Sequence, residues 1–370
     1  MTSLTRRGVI LCGASCVLAG AAFAQSPVPA GYPGDYAKIV AGAEKEGKVV
    51  IYTSTDLSQV KQLTEAFRMR HPKIEVEFND LGTNGTYNRV ISEAAANQVG
   101  ADLVWTNAMD AQIKLVTDGY GQPYGSPEAK NLPDWAVYKD MAYGTTIEPL
   151  TLGYNTKLLP KELVPKTRAD LVKLMKERGD LLKGKVATFD PEKAGSGFLF
   201  HTNDLKNHGD KFWELVEAFG KLDGKLYSST GQLREKLVSG EHVLVFNIIG
   251  SYALDWAKEN PTLGVAFTED YTQTFSRPMF VAKGAPHPNA AKLFIDFVLS
   301  TDGQKALVAG GLPAIRTDIA EGGLDAKALE KMASGNLKPI RINDALLEYM
   351  DQKKRAEFFR KWNQTLGRRS

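Results

Sequence analysis

The sequence predicts an α/β protein in which one β-α pattern is followed by a second. Residues 48–54, KVVIYTS, form a continuous apolar run of the kind that buried parallel strands show. Residues 74–78, IEVEF, and 101–107, ADLVWTN, are predicted as the next two strands. Apolar residues at helical spacing separate the first two strands, at Leu57, Val60, Leu63 and Phe67. This alternation predicts a mostly parallel sheet with helices on both faces.

Short polar loops follow the three strands of this first pattern. The carboxyl ends of parallel strands meet at one edge of a sheet, and ligands bind outside that edge. We therefore expect the loops YTSTD, LGTNGT and WTNAMD to converge on one rim. Their hydroxyl and amide side chains suit helix N-caps as well as ligand contacts, and both roles stay open. The candidates are Thr53, Ser54, Thr83, Asn84, Thr86 and Asn107.

A second α/β pattern begins after an extended stretch at 143–160. The loop FDPEKAGSGF, at 189–198, joins a predicted strand to the start of a helix. Such a loop can bind an anion through its N–H groups and the helix dipole. It is not a P-loop, because Gly197 is followed by Phe198 and Leu199 and not by Lys and Ser or Thr. The candidates here are Gly195, Ser196 and Gly197.

Residues 1–24 have the pattern of an export signal: two arginines, an apolar run and an Ala-Phe-Ala cleavage site before Gln25. The pattern fits both the general and the twin-arginine route. The only cysteines, Cys12 and Cys16, lie in this segment. We therefore expect a mature chain without a disulfide or a thiolate metal site.

Charge and hydropathy exclude two classes of function. The net charge is only +3, and the sequence has no long basic run, so we expect no nucleic-acid binding. Beyond the export signal, no apolar stretch reaches membrane-spanning length. The sequence thus predicts an exported chain without a membrane span.

Six stretches, in this order, resemble the type II periplasmic solute-binding proteins of ABC importers. The resemblance extends over most of the chain after the export signal and concerns the branch that includes ferric-ion-binding proteins and binders of organic phosphates and phosphonates. The stretches are EGKVVIYTSTD, ADLVWTN, PLTLGYNTKLLP, DPEKAGSG, SGEHVLVFN and KGAPHPNAAKLFIDFVLSTDGQKAL.

The resemblance implies two α/β lobes that close like a hinge on a ligand in the cleft between them, a motion for which periplasmic binding proteins are a well-known example. The chain would cross between lobes near Leu150–Tyr154 and return near Thr272–Ala282. It also implies a monomeric periplasmic carrier, without cofactor or catalysis, whose partner is a membrane permease. The expected division is 25–150 and 272–312 in lobe 1, 151–271 in lobe 2, and C-terminal helices at 313–370 packing on lobe 2.

Three more residues of the second half are candidate ligand contacts. Asn247 lies at the end of a predicted strand, where it could bind ligand or cap the backbone. Arg277, beside the return crossover, could pair with an anion in a bidentate manner or lie on the surface. Tyr252 is a candidate wall or hydrogen-bond donor. With the helix start at 195–197, these residues predict a small anionic solute: a phosphate ester, a phosphonate or a carboxylate.

Two alternatives are weighed against the anion carrier. Ferric carriers of this family have two adjacent tyrosines after the equivalent of VLVFN, whereas this chain has Ile248 and Ile249, with Tyr252 as a single phenol. A ferric carrier is therefore the alternative, and no metal ligands are assigned. An exported hydrolase is the remote alternative, since the sequence has no G-x-S-x-G elbow and its histidines are scattered.

Overall fold

A computed structural model describes residues 28–29, 31–320 and 323–368. The predicted export signal lies outside them. The helices are Tyr36–Glu46 (α1), Leu57–Arg70 (α2), Gly82–Ala95 (α3), Met109–Thr117 (α4), Arg168–Glu177 (α5), Gly179–Leu182 (α6), Gly195–His208 (α7), Asp210–Lys221 (α8), Thr230–Val238 (α9), Gly250–Glu259 (α10), Pro288–Leu299 (α11), Thr301–Ala309 (α12), Ala326–Met332 (α13) and Gln352–Thr365 (α14). Short 3₁₀ helices are Ala129–Asn131, Asp134–Ala136, Lys161–Leu163 and Asp344–Met350.

The strands form two separate sheets. They are Lys48–Thr53 (β1), Glu75–Asp80 (β2), Leu103–Trp105 (β3), Val137–Tyr138 (β4), Ala142–Gly144 (β5), Glu148–Asn155 (β6), Val186–Phe189 (β7), Lys225–Tyr227 (β8), Leu244–Ile249 (β9), Leu263–Ala266 (β10), Thr272–Phe275 (β11), Pro278–Val281 (β12) and Leu337–Pro339 (β13). The first sheet has the order β2-β1-β3-β12-β5-β4, and with its helices it forms lobe 1. The second has the order β13-β11-β6-β9-β7-β8, with β10 beside β6, and forms lobe 2.

The α/β class and the two-lobe architecture are confirmed, but each sheet is mixed and not mostly parallel. β1 pairs in parallel with β2 and β3, as the sequence pattern predicts. β12 runs antiparallel to β3, and β6 runs antiparallel to β9. These two pairs are antiparallel because β12 and β6 each enter their sheet from the other lobe.

Two short segments connect the lobes. The chain leaves lobe 1 after β5 and enters lobe 2 with β6, so the first crossover is 145–147. It returns between β11 and β12, through 276–277. The first crossover therefore precedes Leu150–Tyr154, which lies within β6 and is paired with strands of lobe 2 along its length.

Aromatic packing holds α2 of lobe 1 against α11. Phe67 is fully buried and its ring lies 5.0 Å from that of Phe294 and 5.3 Å from that of Phe297, both on α11. Val60 and Leu63 are buried on the same face. Leu57 shares their spacing but is 56% exposed, because it is the first residue of the helix and faces the solvent.

The C-terminal segment contacts both lobes. On lobe 2, α14 buries Phe358 and Trp362 against α8, and β13 pairs with β11. The 3₁₀ helix Asp344–Met350 also reaches lobe 1, where the Tyr138 hydroxyl donates to Asp344. The C-terminal residues thus pack on both lobes, whereas the sequence predicts packing on lobe 2.

Candidate functional site

A buried ion pair joins the two crossover segments at the hinge end of the cleft. Arg277, which is fully buried, lies in the return crossover. Its Nε and Nη2 donate to the two carboxylate oxygens of Glu148, at 2.6 and 2.9 Å. Glu148 begins β6, directly after the first crossover. This bidentate pair therefore ties one crossover to the other.

Both lobes add hydrogen bonds to this pair. From lobe 1, Thr55 accepts from Nη1 of Arg277 at 3.0 Å. From lobe 2, the Ser251 hydroxyl donates to Glu148 at 2.7 Å. Burial by itself lowers the pKa of Arg277, but the adjacent Glu148 carboxylate outweighs burial, and the pKa lies above its ordinary value. The guanidinium is therefore charged, and Glu148 already occupies the fork that was predicted to bind an anion.

Tyr252 extends the network from lobe 2 toward lobe 1. Its ring lies 5.8 Å from the guanidinium carbon of Arg277. It lines one cavity together with Asp56, the residue before α2. Burial raises the pKa of Tyr252, and the positive charge of Arg277 only partly opposes this effect. The phenol is therefore neutral, and its ring lies between Arg277 and the start of α2.

At the other end of the cleft, α3 of lobe 1 meets the start of α7 of lobe 2. The N–H of Gly195 donates to Thr83 Oγ1 at 3.2 Å. The amide nitrogen of Asn84 donates to the carbonyl of Lys193 at 3.0 Å. The strand order separates this contact from the crossovers, because β2 is an outer strand of the first sheet and β7 is two strands from β6. We call it the distal contact.

The glycines at the start of α7 allow close approach of neighbouring groups. A Cβ on Gly195 would lie 3.0 Å from Asn84 Oδ1 and 3.2 Å from Thr83 Oγ1, so these side chains of the facing lobe would have to shift by a few tenths of an ångström. A Cβ on Gly197 would lie 2.9 Å from the carbonyl oxygen of Asp190. Between them, Ser196 is 6% exposed. The helix start thus forms a closely packed wall of the cleft.

Four of the predicted rim residues contact one another within lobe 1. Thr86 donates from its hydroxyl to the carbonyl of Thr53 at 3.1 Å, which links α3 to β1. Ser54 donates to Asn107 Oδ1 at 3.2 Å, and the N–H of Asn107 donates back to Ser54 Oγ at 3.3 Å. The loops after β1, β2 and β3 therefore converge on one edge, and these contacts set their shape.

Asn247 has a partner inside lobe 2. Its backbone is left-handed, with φ of 57°, and its amide donates to Asp204 at 2.6 Å. The same carboxylate accepts from the Tyr271 hydroxyl and pairs with Arg168 at 3.1 Å. Burial raises the pKa of Asp204, but Arg168 and these hydrogen bonds outweigh burial and lower it. The side chain of Asn247 is therefore engaged in a buried network and does not extend toward the facing lobe.

The comparisons with known proteins agree with this two-lobe geometry. The model of a family described as bacterial extracellular solute-binding protein matches residues 62–333. The chain belongs to this family. The crystal structure of the substrate binding protein of an ABC transporter from Agrobacterium tumefaciens is 32% identical, with a TM-score of 0.81, over 86% of this chain and 94% of that one. This chain is accordingly a substrate-binding protein of the ABC transporter type.

More distant structures share the fold of this binding protein. The periplasmic binding protein AfuA from Actinobacillus pleuropneumoniae, with fructose-6-phosphate bound, is 21% identical, with a TM-score of 0.71, over 87% of this chain and 99% of that one. Iron-bound HitA from Pseudomonas aeruginosa is 16% identical, with a TM-score of 0.69, over 86% and 99%. One fold thus serves ligands of different chemistry.

Two cavities of the binding protein are lined by residues of both lobes. One, of about 610 Å³, lies between the start of α2 in lobe 1 and helices α9 and α10 in lobe 2. Tyr252, Arg234 and Trp256 line it. Another, of about 660 Å³, is lined at the distal contact by Asn84 and Gly195 and by residues of α4 and α14.

The described residues give no support to a carboxylate, imidazole or thiolate metal centre. Among residues 28–29, 31–320 and 323–368, no group of three or more His, Cys, Asp or Glu side chains is placed to hold a metal ion. Within the same ranges, no helix is long and apolar enough to span a membrane.

Sequence reasoning missed several residues of this site. Glu148 and Thr55 lie far from Arg277 in the chain, and no local pattern links them. Arg234 and Trp256 occupy ordinary positions of amphipathic helices. The available signal was the position of Glu148 and Thr55 beside apolar strands. Polar groups that become buried at such positions require hydrogen-bonding partners.

Proposed function

We propose that this binding protein captures a small anionic solute between its lobes and delivers it to a membrane permease. The observation that carries the proposal is the distal contact, in which polar groups of α3 and the N-terminus of α7 lie within hydrogen-bonding distance of each other. A solute that binds both walls stabilises the closed state, because the open state offers it only one wall.

The anionic character of the solute is inferred from the donors. The N–H groups of Ser196 and Gly197 begin a fourteen-residue helix, where the dipole favours negative charge. Thr83 and Asn84 offer neutral donors from the facing lobe. Thr53, Ser54, Thr86 and Asn107 shape the lobe 1 rim in this proposal, while Asn247 and Arg277 hold the scaffold through their own protein partners.

The same proposal covers the oligomeric state, the compartment and the absence of other activities. We infer that the chain acts as a monomer in the periplasm after removal of residues 1–24, and that it binds no nucleic acid, requires no cofactor and catalyses no reaction. The fold relatives AfuA, with fructose-6-phosphate, and HitA, with iron, represent the two ligand classes weighed from the sequence. The anion is favoured, because Tyr252 is a single neutral phenol between Asp56 and Arg277.

Substitution at the helix start tests the proposal. Ser196→Asp places a negative charge where the anion would bind, and because Ser196 is buried, a melting curve without ligand first checks that the variant is folded. We expect calorimetry to show at least a hundredfold weaker binding of an organic phosphate, phosphonate or carboxylate that raises the melting temperature of the wild type. Ser92→Asp, on the exposed part of α3, is the control and should bind normally. Unchanged affinity in Ser196→Asp would refute the anion site.

A further inference from the structure

The cavity at the distal contact is lined by the C-terminal helix as well as by both lobes, and we call it the distal cavity. Its volume of about 660 Å³ lies within the range of small-molecule sites. Lobe 1 lines it with α3 and α4, lobe 2 with the start of α7, and the C-terminal segment with residues 350–352 and 355. Because Gly195 is among the lining residues, the start of α7 borders this cavity.

Arg355 of α14 is held beside the start of α7 by two aromatic rings. Its guanidinium carbon lies 4.4 Å from the centre of the Phe198 ring and 5.3 Å from that of Phe359. Phe198 is fully buried and follows Gly195 by three residues, which is about 4.5 Å along a helix axis. Arg355 and Gly195 line the same cavity. The rings therefore fix the position of the guanidinium near the helix N-terminus.

The other charged groups of the lining already have protein partners. Lys114 pairs with Asp118, one turn further along α4. Asp351 is the N-cap of α14 and accepts a backbone N–H of that helix. Asp110 is 4% exposed and accepts the N–H of the next residue at 2.8 Å. These three groups are thus engaged by the protein itself.

Arg355 lacks a charged partner of this kind. Its Nη1 donates to the sulfur of Met350 at 3.9 Å, and sulfur is a weak acceptor. Among the residues that the structure describes, no carboxylate lies within ion-pair distance of its guanidinium. Arg277 differs, because Glu148 fills its fork. The planar donors of Arg355 are therefore available to a ligand.

The positive charge of Arg355 also acts on lobe 1 across the cavity. Burial raises the pKa of Asp110 on α4 to about 6, and the charge of Arg355 is among the effects that oppose this rise. Burial likewise raises the pKa of Tyr87 on α3, and Lys114 and Arg355 oppose it. An anion held between these walls would lie in the same positive potential.

We propose that Arg355 binds the anionic group of the solute in the distal cavity, together with the N-terminus of α7. Its fork suits a carboxylate, phosphate or phosphonate, each of which accepts two parallel hydrogen bonds. Arg355 is then a specificity-determining residue, and the C-terminal helix is part of the binding site. The inference rests on the proposed function, to which it adds the charged partner that Arg277 does not supply.

A panel of simple anions first tests the proposed function on which this inference rests. Thermal shift and calorimetry are measured on the mature wild type with inorganic phosphate, methyl phosphate, methylphosphonate and succinate, and with glycerol as the uncharged control. We expect at least one of the anions to raise the melting temperature and glycerol to leave it unchanged. If none of the anions binds, the anion proposal is refuted and the role of Arg355 with it.

Variants of Arg355 then test the inference itself, with the tightest-binding anion of the panel. Arg355→Gln removes the charge and should raise Kd about tenfold or more, the loss expected when hydrogen bonds from a charged group disappear. Arg355→Lys keeps the charge without the planar fork and should fall between this variant and the wild type. Arg360→Gln removes the same charge at an exposed position of the same helix and should bind as the wild type does.

Melting curves without ligand check that each variant is folded, which we expect because Arg355 is only half-buried. If Arg355→Gln does not fold, Arg355→Met replaces it, since it keeps apolar packing on Phe198 and has the same expected loss of affinity. Wild-type affinity in the folded variant, or an equal loss in Arg360→Gln, would overturn the inference. In either case the anion site at the start of α7 would stand, because Ser196→Asp tests it separately.

Discussion

The two ends of the cleft are closed by different kinds of contact. At the hinge end, Arg277 and Glu148 form a fully buried charged pair that also binds Thr55 of lobe 1 and Ser251 of lobe 2. At the distal contact, the lobes touch through two neutral hydrogen bonds of 3.0 and 3.2 Å, one of them at the exposed Asn84. Buried charges whose partners are all provided by the protein are costly to separate, whereas neutral bonds near the surface exchange readily with water.

This difference indicates that the hinge end has a structural role and that the distal contact has a role in binding ligand. The hinge end contains a fully buried ion pair. Its charges are already matched, so it holds the crossovers together and leaves little net charge for a ligand. The distal contact is weak enough to open and to accept other partners. The general lesson is that a buried arginine in a cleft indicates ligand charge only when no protein carboxylate occupies its fork.

The largest expected effect comes from removing one partner of the hinge pair. Arg277→Met leaves Glu148 buried and unpaired, which should lower the free energy of unfolding by about 3–5 kcal/mol. Denaturant unfolding of the mature protein without ligand measures this change.

A double variant controls for the lost packing of the arginine. Arg277→Met with Glu148→Leu removes both charges and should recover most of the lost stability, since replacing a buried pair by apolar residues is often neutral. If the double variant is as unstable as the single one, the pair is not the element that holds the crossovers together.

The next largest expected effect is a pH dependence of the free energy of unfolding, caused by a carboxyl group at the distal end of the cleft. Asp110, on α4, lines the cavity there, and burial raises its pKa to about 6 from an ordinary value of 3.8. The folded chain therefore holds a proton that the unfolded chain has lost, so the free energy of unfolding falls as the pH rises from about 4 through 6. The shift corresponds to at most about 3 kcal/mol. Asp110→Asn should flatten this slope between pH 4 and 7, and an unchanged slope in urea titrations at several pH values would contradict the assignment.

The sequence predicts the local parts of this molecule well. Lys48–Thr53 and Leu244–Ile249 are strands where the apolar runs place them. The loops that follow the first three strands converge on one edge of the sheet, as expected. Such features follow from periodicity, turn residues and the rule that parallel strands end at one edge.

The sequence does not predict the partners of charged groups. Glu148 and Arg277 are separated by 129 positions, and their pairing depends on where both crossovers lie. Asn247 likewise turns to Asp204, 43 positions away, because its left-handed backbone directs the amide into lobe 2. Long-range polar contacts of this kind arise from the assembled fold and leave no periodic signal in the chain.

The smallest effect is a shift of the open–closed equilibrium at the distal contact. Asn84→Ala removes the bond to the carbonyl of Lys193 and should disfavour the closed state by about 0.5–1.5 kcal/mol without changing the stability of either lobe. Because both cysteines of the chain precede the mature sequence expected here, spin labels on Ser92→Cys in lobe 1 and Glu214→Cys in lobe 2 would report lobe separation specifically.

Asn88 is the matched control for this measurement. It is an exposed asparagine one turn further along α3 and donates to no residue of lobe 2 among those the structure describes. Pulsed distance measurements without ligand should show a larger fraction of long distances for Asn84→Ala than for Asn88→Ala, and saturating ligand should restore the short distance in both. Identical distributions for the two variants would show that the hydrogen bond of Asn84 does not contribute to the closed state.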